Sequence, residues 1–203
     1  VLLLEKTDRV GGAGSYAHST FPVATSNAQE AAGANASYED FYKISASETR
    51  ADLDMVKLLI SNSSKAADWL IDNGADLSAV QKDYNLKPAN GTIPGYEVCT
   101  TLKKILDGTQ VELRLENEVT GLLYEDGKVC GARVQNAAGE YEVRSSAVIL
   151  ATGGFSANQE MLKEYTPYWG DCGTDNPASS TGDGIRMAKE IGAKLTHMDH
   201  LRV

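Results

Sequence analysis

The chain has 203 residues, 28 acidic against 19 basic side chains and a formal charge of −9, the size of one domain or of one domain with part of another. Apolar residues make up 42% and charged residues 23%, which predicts a folded core and argues against intrinsic disorder. The acidic balance without a Lys/Arg cluster argues against nucleic acid as a partner, and no apolar run approaches the roughly 20 residues of a membrane-spanning helix.

The first residues, Val1-Leu2-Leu3-Leu4, form a short apolar run ended by charge. This pattern predicts a strand buried on both faces, as in a parallel sheet. Ser37 before Tyr38-Glu39-Asp40 reads as an N-cap opening a helix to about Ala46. Behind Asp52, the recurrence of Leu53, Val56, Leu59 and Ile60, then Ala66, Ala67, Trp69, Leu70 and Ile71, predicts helix as far as Asn73-Gly74, so that a helical hairpin or bend results. Trp69 reads as helix-core packing. Residues 75–95, rich in Asn, Gly and Pro, read as an irregular loop.

Val98, Leu102, Ile105 and Leu106 then place a helix that closes at Asp107-Gly108. Alternation over residues 111–115, 119–123, 129–134 and 140–144, with turns at Asp126-Gly127 and near Gly139, predicts a small antiparallel meander. It leads into a second apolar strand over residues 147–151 that ends at Thr152-Gly153-Gly154. Helices are predicted over residues 158–165 and 182–191, and a last strand over 194–198. Strands and helices alternating around an antiparallel insert imply an α/β fold with a parallel sheet.

Cys99, Cys130 and Cys172 are odd in number, far apart and free of C-x-x-C spacing, against a disulfide framework or a zinc site. His197 and His200 with Asp199 do not place two imidazoles on one strand face, and no metal is expected. The chain opens directly into its first strand without Met or a charged leader, and we read it as a fragment; its compartment is open, with bacterial cytoplasm favoured slightly over export.

One apparent dinucleotide fingerprint is Gly12-x-Gly14-x-x-Ala17, but Lys6-Thr7-Asp8-Arg9-Val10 separates it from the strand. Glu5 is the more informative residue. A carboxylate at the carboxyl end of a parallel strand can accept from both ribose hydroxyls, and such an acid belongs at the end of the second strand of a Rossmann unit. A solvent-facing Glu at a strand end is the alternative. Gly11-Gly12 and the run into Ala151-Thr152-Gly153-Gly154 are places where backbone can closely approach a ligand.

Taken in order, Leu3-Leu4-Glu5-Lys6 with Gly11-Gly12, Asp68-Trp69-Leu70 to Gly74-Ala75-Asp76, Gly127-Lys128-Val129 to Gly131, Val148 to Gly154-Phe155 and Thr181-Gly182-Asp183-Gly184 resemble the FAD-dependent fumarate reductase and succinate dehydrogenase flavoprotein family, particularly its soluble branch. The resemblance covers nearly the whole chain. It implies a Rossmann-like FAD-binding domain with an antiparallel meander and a helical insert, lacking its first βα unit upstream and ending where a capping domain begins. It also implies the cofactor residues: Glu5 on the adenosine ribose with Lys6 beside it; Gly11, Gly12, Ala13 and Gly14 starting a helix under the phosphates; Ser19 and Thr20 beside the isoalloxazine; Val119 at the adenine; Ala151, Thr152 and Gly153 along the same half; and Asp183 in a turn facing the flavin. Two departures matter: Ser19-Thr20 stands where many members have Gly-Gly, and Ala13 stands where the membrane-bound branch has a His linked to FAD, so FAD is expected without a covalent bond.

The implied activity is hydride transfer from flavin N5 to a carbon–carbon double bond of a small unsaturated carboxylate, fed by an electron-donor domain or protein. The family's catalytic Arg and His residues lie in later sequence, so no catalytic residue is expected in this chain. Enzymatic alternatives are a 3-ketosteroid dehydrogenase-like or an aspartate oxidase-like flavoenzyme; the non-enzymatic one is a catalytically silent fragment. The stretch Lys87-Pro88-Ala89-Asn90-Gly91-Thr92 stands where relatives carry His-Arg-Pro near a substrate channel, which suggests a substrate other than plain fumarate, or else an ordinary variable loop. His18, next to the presumed flavin contacts, is left without a role.

Overall fold

A computed structural model describes residues 1–18, 21–34, 37–47, 51–81 and 85–200. The chain divides into two compact units, Val1–Ala13 with Gln110–Val203, and Gly14–Thr109.

In the first unit, β1 (Leu2–Leu4) pairs in parallel with β5 (Glu112–Arg114), with Leu3 opposite Leu113. β1 is not buried on both faces as the apolar run predicts, for Leu3 keeps 39% exposure. Its ladder has a partner on one side only among the described residues. The meander forms as read: β6 (Glu118–Glu125), β7 (Lys128–Asn136) and β8 (Gly139–Arg144) pair antiparallel in that order. Asp126 and Gly127, at φ 50° and 79°, make the tight turn between β6 and β7, the left-handed pair whose twist suits a two-residue hairpin. Gly131 lets β8 come close, because a Cβ there would strike the Val143 carbonyl.

Two helices complete this unit. α5 (Gln159–Tyr165) is capped by Asn158, whose side chain accepts from Glu160 and Met161 N–H, and α6 (Asp183–Glu190) follows Gly182 at φ 79°. Leu162 and Met187 are their buried hydrophobic residues, and Leu123, Ala132 and Val134 those of the meander. Two predicted strands are absent. Residues 147–151 form no ladder and leave Ile149 91% exposed; an apolar run becomes a strand only when a neighbour satisfies its backbone. Residues 194–198 run through turns and coil, with His197 at φ 55°, a left-handed backbone that interrupts extended chain.

In the second unit, α1 (Asn27–Ala31) starts at a reciprocal capping box of Ser26 with Gln29. α2 (Tyr38–Ala46) is capped by Ser37, and α3 (Leu53–Asp72) is one continuous 20-residue helix capped by Asp52 and stopped before Gly74 at φ 93°. Phe41 of α2 and Ile60 of α3 share one small core with Ala24, which makes α2 and α3 the expected hairpin. Trp69 is not core: it stays 48% exposed while Ala67 and Leu70 take the buried face.

The segment read as a loop contains strands. β2 (Phe21–Pro22), β3 (Ala79–Gln81) and β4 (Asn85–Lys87) form an antiparallel sheet in the order β2-β4-β3. Leu86 at its centre is fully buried with Val23, Leu77 and Ala67. Each strand is too short to show a period, so its partners and burial decide its conformation. α4 (Pro94–Asp107) has Pro94 in its first turn, where the missing N–H costs nothing. Gly95 is required there, since a Cβ would collide with the backbone of Gly14 and Ala17.

Candidate functional site: the end of the parallel ladder

Glu5 lies one residue beyond β1 but remains in the ladder: its N–H donates to Arg114 O (3.0 Å) and its carbonyl accepts from Asn117 N–H (2.9 Å). Its carboxylate folds over the following bend, with Oε1 accepting from Thr7 N–H (2.7 Å) and Thr7 Oγ1 (2.8 Å). The Thr7 hydroxyl also reaches Arg9 O at 2.7 Å, and its one proton serves one acceptor at a time. Oε2 takes no donor among the described residues. A half-buried carboxylate oriented through one oxygen leaves the other for an incoming hydroxyl pair.

The neighbouring segment is fixed from behind. Asn117 Oδ1 accepts from Tyr141 OH (2.6 Å) and Asn136 Nδ2 (3.1 Å), while its amide donates to Leu115 O (2.6 Å). Arg114, ion-paired to Glu112 at 2.8 Å, lies over the Tyr141 ring. Val119, at the start of β6 opposite Val134, follows two residues after Asn117 and precedes a register shift before Gly121. Glu5 thus pairs with Asn117, two residues before Val119, which itself pairs in a separate sheet.

Lys6 reaches the start of α6. Its Nζ donates to Thr181 Oγ1 (2.6 Å) and pairs with Asp183 Oδ2 (2.6 Å), and Thr181 Oγ1 is 2.9 Å from the same carboxylate oxygen. Burial pushes the Asp183 carboxyl up, but the hydrogen bonds from Lys6 and Thr181 and the charge of Lys6 outweigh it and hold it below the usual carboxylate range. Thr152 packs against the same helix start, since a Cβ on Gly184 would run into its side chain. Gly182 N–H donates to Gly154 O (3.0 Å), and Gly153 sits at φ 74° with nothing within 4 Å of where its Cβ would be. Ala151, Thr152 and Gly153 are exposed.

Gly11 and Gly12 take φ 116° and 45°, and the helix that starts here, Gly12–Tyr16, is a five-residue 3-10 helix. A Cβ on Gly12 meets nothing within 4 Å, so glycine is needed there for its backbone angle, and the space in front of it is open. Ala13 is half-buried, and Gly14 O accepts from Ala17 N–H (3.2 Å). Ser19 and Thr20 lie outside the described residues.

Within the first unit, therefore, Lys6, next to Glu5, meets Asp183 from 177 residues away, and Thr152 packs beside them on Gly184. Sequence reasoning missed Thr7, Asn117 and Thr181, which orient the named residues. A hydroxyl two residues after an acid is a signal for the first; nothing local announces the others. These features fit FAD: an acceptor for ribose hydroxyls, an open glycine turn, and exposed backbone at residues 151–153.

The second unit holds a cleft of about 400 Å³ lined by His18, Gln81, Lys87, Thr92 and apolar residues that include Pro88 and Ile93. Its described lining carries Lys87 and His18 and no acidic residue. His18 and the 87–92 stretch, separate in the sequence reading, share this cleft. No group of three or more His, Cys, Asp or Glu among the described residues is placed to hold a metal ion, and no described helix is long and apolar enough to cross a membrane.

Known proteins agree with this geometry. The model of the FAD binding domain family matches residues 1–203. The probable fumarate reductase Ifc3 of Shewanella frigidimarina is 31% identical over 98% of this chain, which spans 36% of that protein. The NADH:acrylate oxidoreductase of Vibrio harveyi is 30% identical over 74% of this chain and 16% of its own length. Among solved structures, the open conformation of a flavocytochrome c3 fumarate reductase superposes with a TM-score of 0.90 at 30% identity, over 96% of this chain and 36% of that one. The chain spans about a third of the length of the fumarate reductases it matches, and it belongs to the FAD binding domain family.

Proposed function

We propose that this chain is the FAD-binding portion of a flavin-dependent reductase of an unsaturated carboxylate, supplied with electrons by a separate domain or protein. The observation that carries the reading is the Glu5 carboxylate, held in the ladder with one oxygen satisfied and the other left for ribose hydroxyls. The names of the relatives, a fumarate reductase and an acrylate oxidoreductase, support the substrate class.

Bound FAD would supply the hydride chemistry, and the protein would supply orientation. Glu5 would bind the ribose, with the Gly11-Gly12 turn close to the phosphates and the backbone of Ala151 to Gly153 along the nucleotide. Ala13 has no nucleophile, so the cofactor would be held without a covalent link. The described lining of the second unit's cleft includes Lys87, a cation that suits a carboxylate as substrate.

The test is anaerobic turnover. Full-length protein carrying this chain, purified yellow, should release FAD on denaturation and oxidise a reduced viologen when fumarate, acrylate or an aryl acrylate is added, the aryl acid with the highest kcat/KM. A colourless protein that takes up no FAD contradicts the cofactor reading. Turnover confined to 3-ketosteroids contradicts the substrate class.

A further inference from the structure

Lys6 and Glu5 are adjacent, and at a strand end successive side chains leave on opposite sides. Glu5 turns over Thr7, while Lys6 reaches α6, where it meets Thr181 and Asp183. The anchor it finds is rigid. Asn158, the cap of α5, donates through Nδ2 to Thr181 O (2.9 Å), and Ala157 N–H donates to Ser180 O (2.9 Å). Gly182 is wedged against Met161 and Phe155, with no room for a Cβ. The Lys6 and Asp183 side chains are only 25% and 21% exposed, so the pair is less screened than the surface pairs, such as Lys57 with Asp54, and contributes more to geometry.

We propose that Lys6 is a positioning residue: its attachment to Asp183 and Thr181 fixes the end of the strand so that Glu5 Oε2 faces the adenosine ribose. The inference rests on the proposed role of Glu5. The pair acts in two ways. It fixes the backbone between residues 5 and 7, the stretch that sets where the carboxylate points. It also keeps the ammonium on the α6 side; released, the side chain of Lys6, adjacent in sequence to Glu5, would be free to pair with the oxygen meant for the sugar.

The experiment uses full-length protein stripped of flavin and titrated with FAD and with an FAD analogue lacking the adenosine 2′-hydroxyl, followed by flavin fluorescence. The wild type should bind FAD about 10- to 100-fold more tightly than the analogue, the discrimination expected of a hydrogen bond to a charged acceptor. Lys6→Met should bring the two affinities to within about threefold of each other, and Asp183→Asn, which keeps the side-chain volume, should do the same. If either folded variant weakens both ligands equally and keeps the wild-type ratio, Lys6 is only structural and the proposal is overturned. A wild type that binds both ligands equally contradicts the role of Glu5 itself, and the inference with it. A wild type that binds neither contradicts the cofactor reading.

Discussion

Residues 1–4 and 147–151 are both short apolar runs, and each leads into a turn at the candidate cofactor site, yet they fold differently. The first becomes β1 because β5 offers a parallel partner in register, and the ladder continues through Glu5 to Asn117. The second has no ladder among the described residues and leaves Ile149 open to solvent. Hydrophobicity nominates a strand, and a neighbour's hydrogen bonds make it one. The two turns are also held differently: the one after β1 by charged hydrogen bonds, the one at Thr152 by close packing on Gly184.

Substitutions at each end separate these two kinds of support. The largest effect belongs to Glu5→Ala, which removes the charged acceptor and should weaken FAD by about 100-fold or more in a fluorescence titration. Gly184→Ala attacks the packed turn. It should lower stability in urea by about 1–3 kcal/mol, because overpacked sites relax only partly, while affecting FAD through the Thr152 turn alone.

Leu4→Ala and Ile149→Ala compare the two runs directly. The first should cost about 1 kcal/mol for a half-buried side chain, and the second less than about 0.5 kcal/mol; equal costs in urea melts would remove the distinction. The smallest effect is in acid. Asp183 is held below its ordinary range, so its contribution to stability is complete above the unfolded value, about 3.9, and is lost as pH falls through the lower folded value. Asp183→Asn should therefore show a flatter fall in urea midpoint below about pH 4 than the wild type.

The meander was legible because its pattern is local: alternating apolar residues and an Asp-Gly turn that requires left-handed backbone. Two helices were legible at their caps, Ser37 and Asp52, which accept from first-turn N–H groups, whereas the five-residue α1 behind Ser26 was not foreseen. β3 and β4 were hidden because three residues carry no period, and Leu86 is buried by partners far along the chain. The strand expected over residues 194–198 failed at His197, whose left-handed backbone no composition rule signals.

In the candidate site, the strand end at Glu5 and the glycines at 11–12 and 153–154 stand out in the sequence from position and composition. The attachment of Lys6 to Asp183 does not, since it joins residues 177 apart through tertiary structure alone. Resemblance named both residues without pairing them.

On the proposed reading Glu5 holds the adenosine half of FAD, which FMN lacks. Wild-type protein and Glu5→Gln, both stripped of flavin, should be titrated with FAD and FMN under the same conditions. The expected result is a wild type that prefers FAD by at least about tenfold and a variant in which most of that preference is gone. A preference for FAD that survives unchanged in Glu5→Gln would show that this carboxylate does not hold the nucleotide.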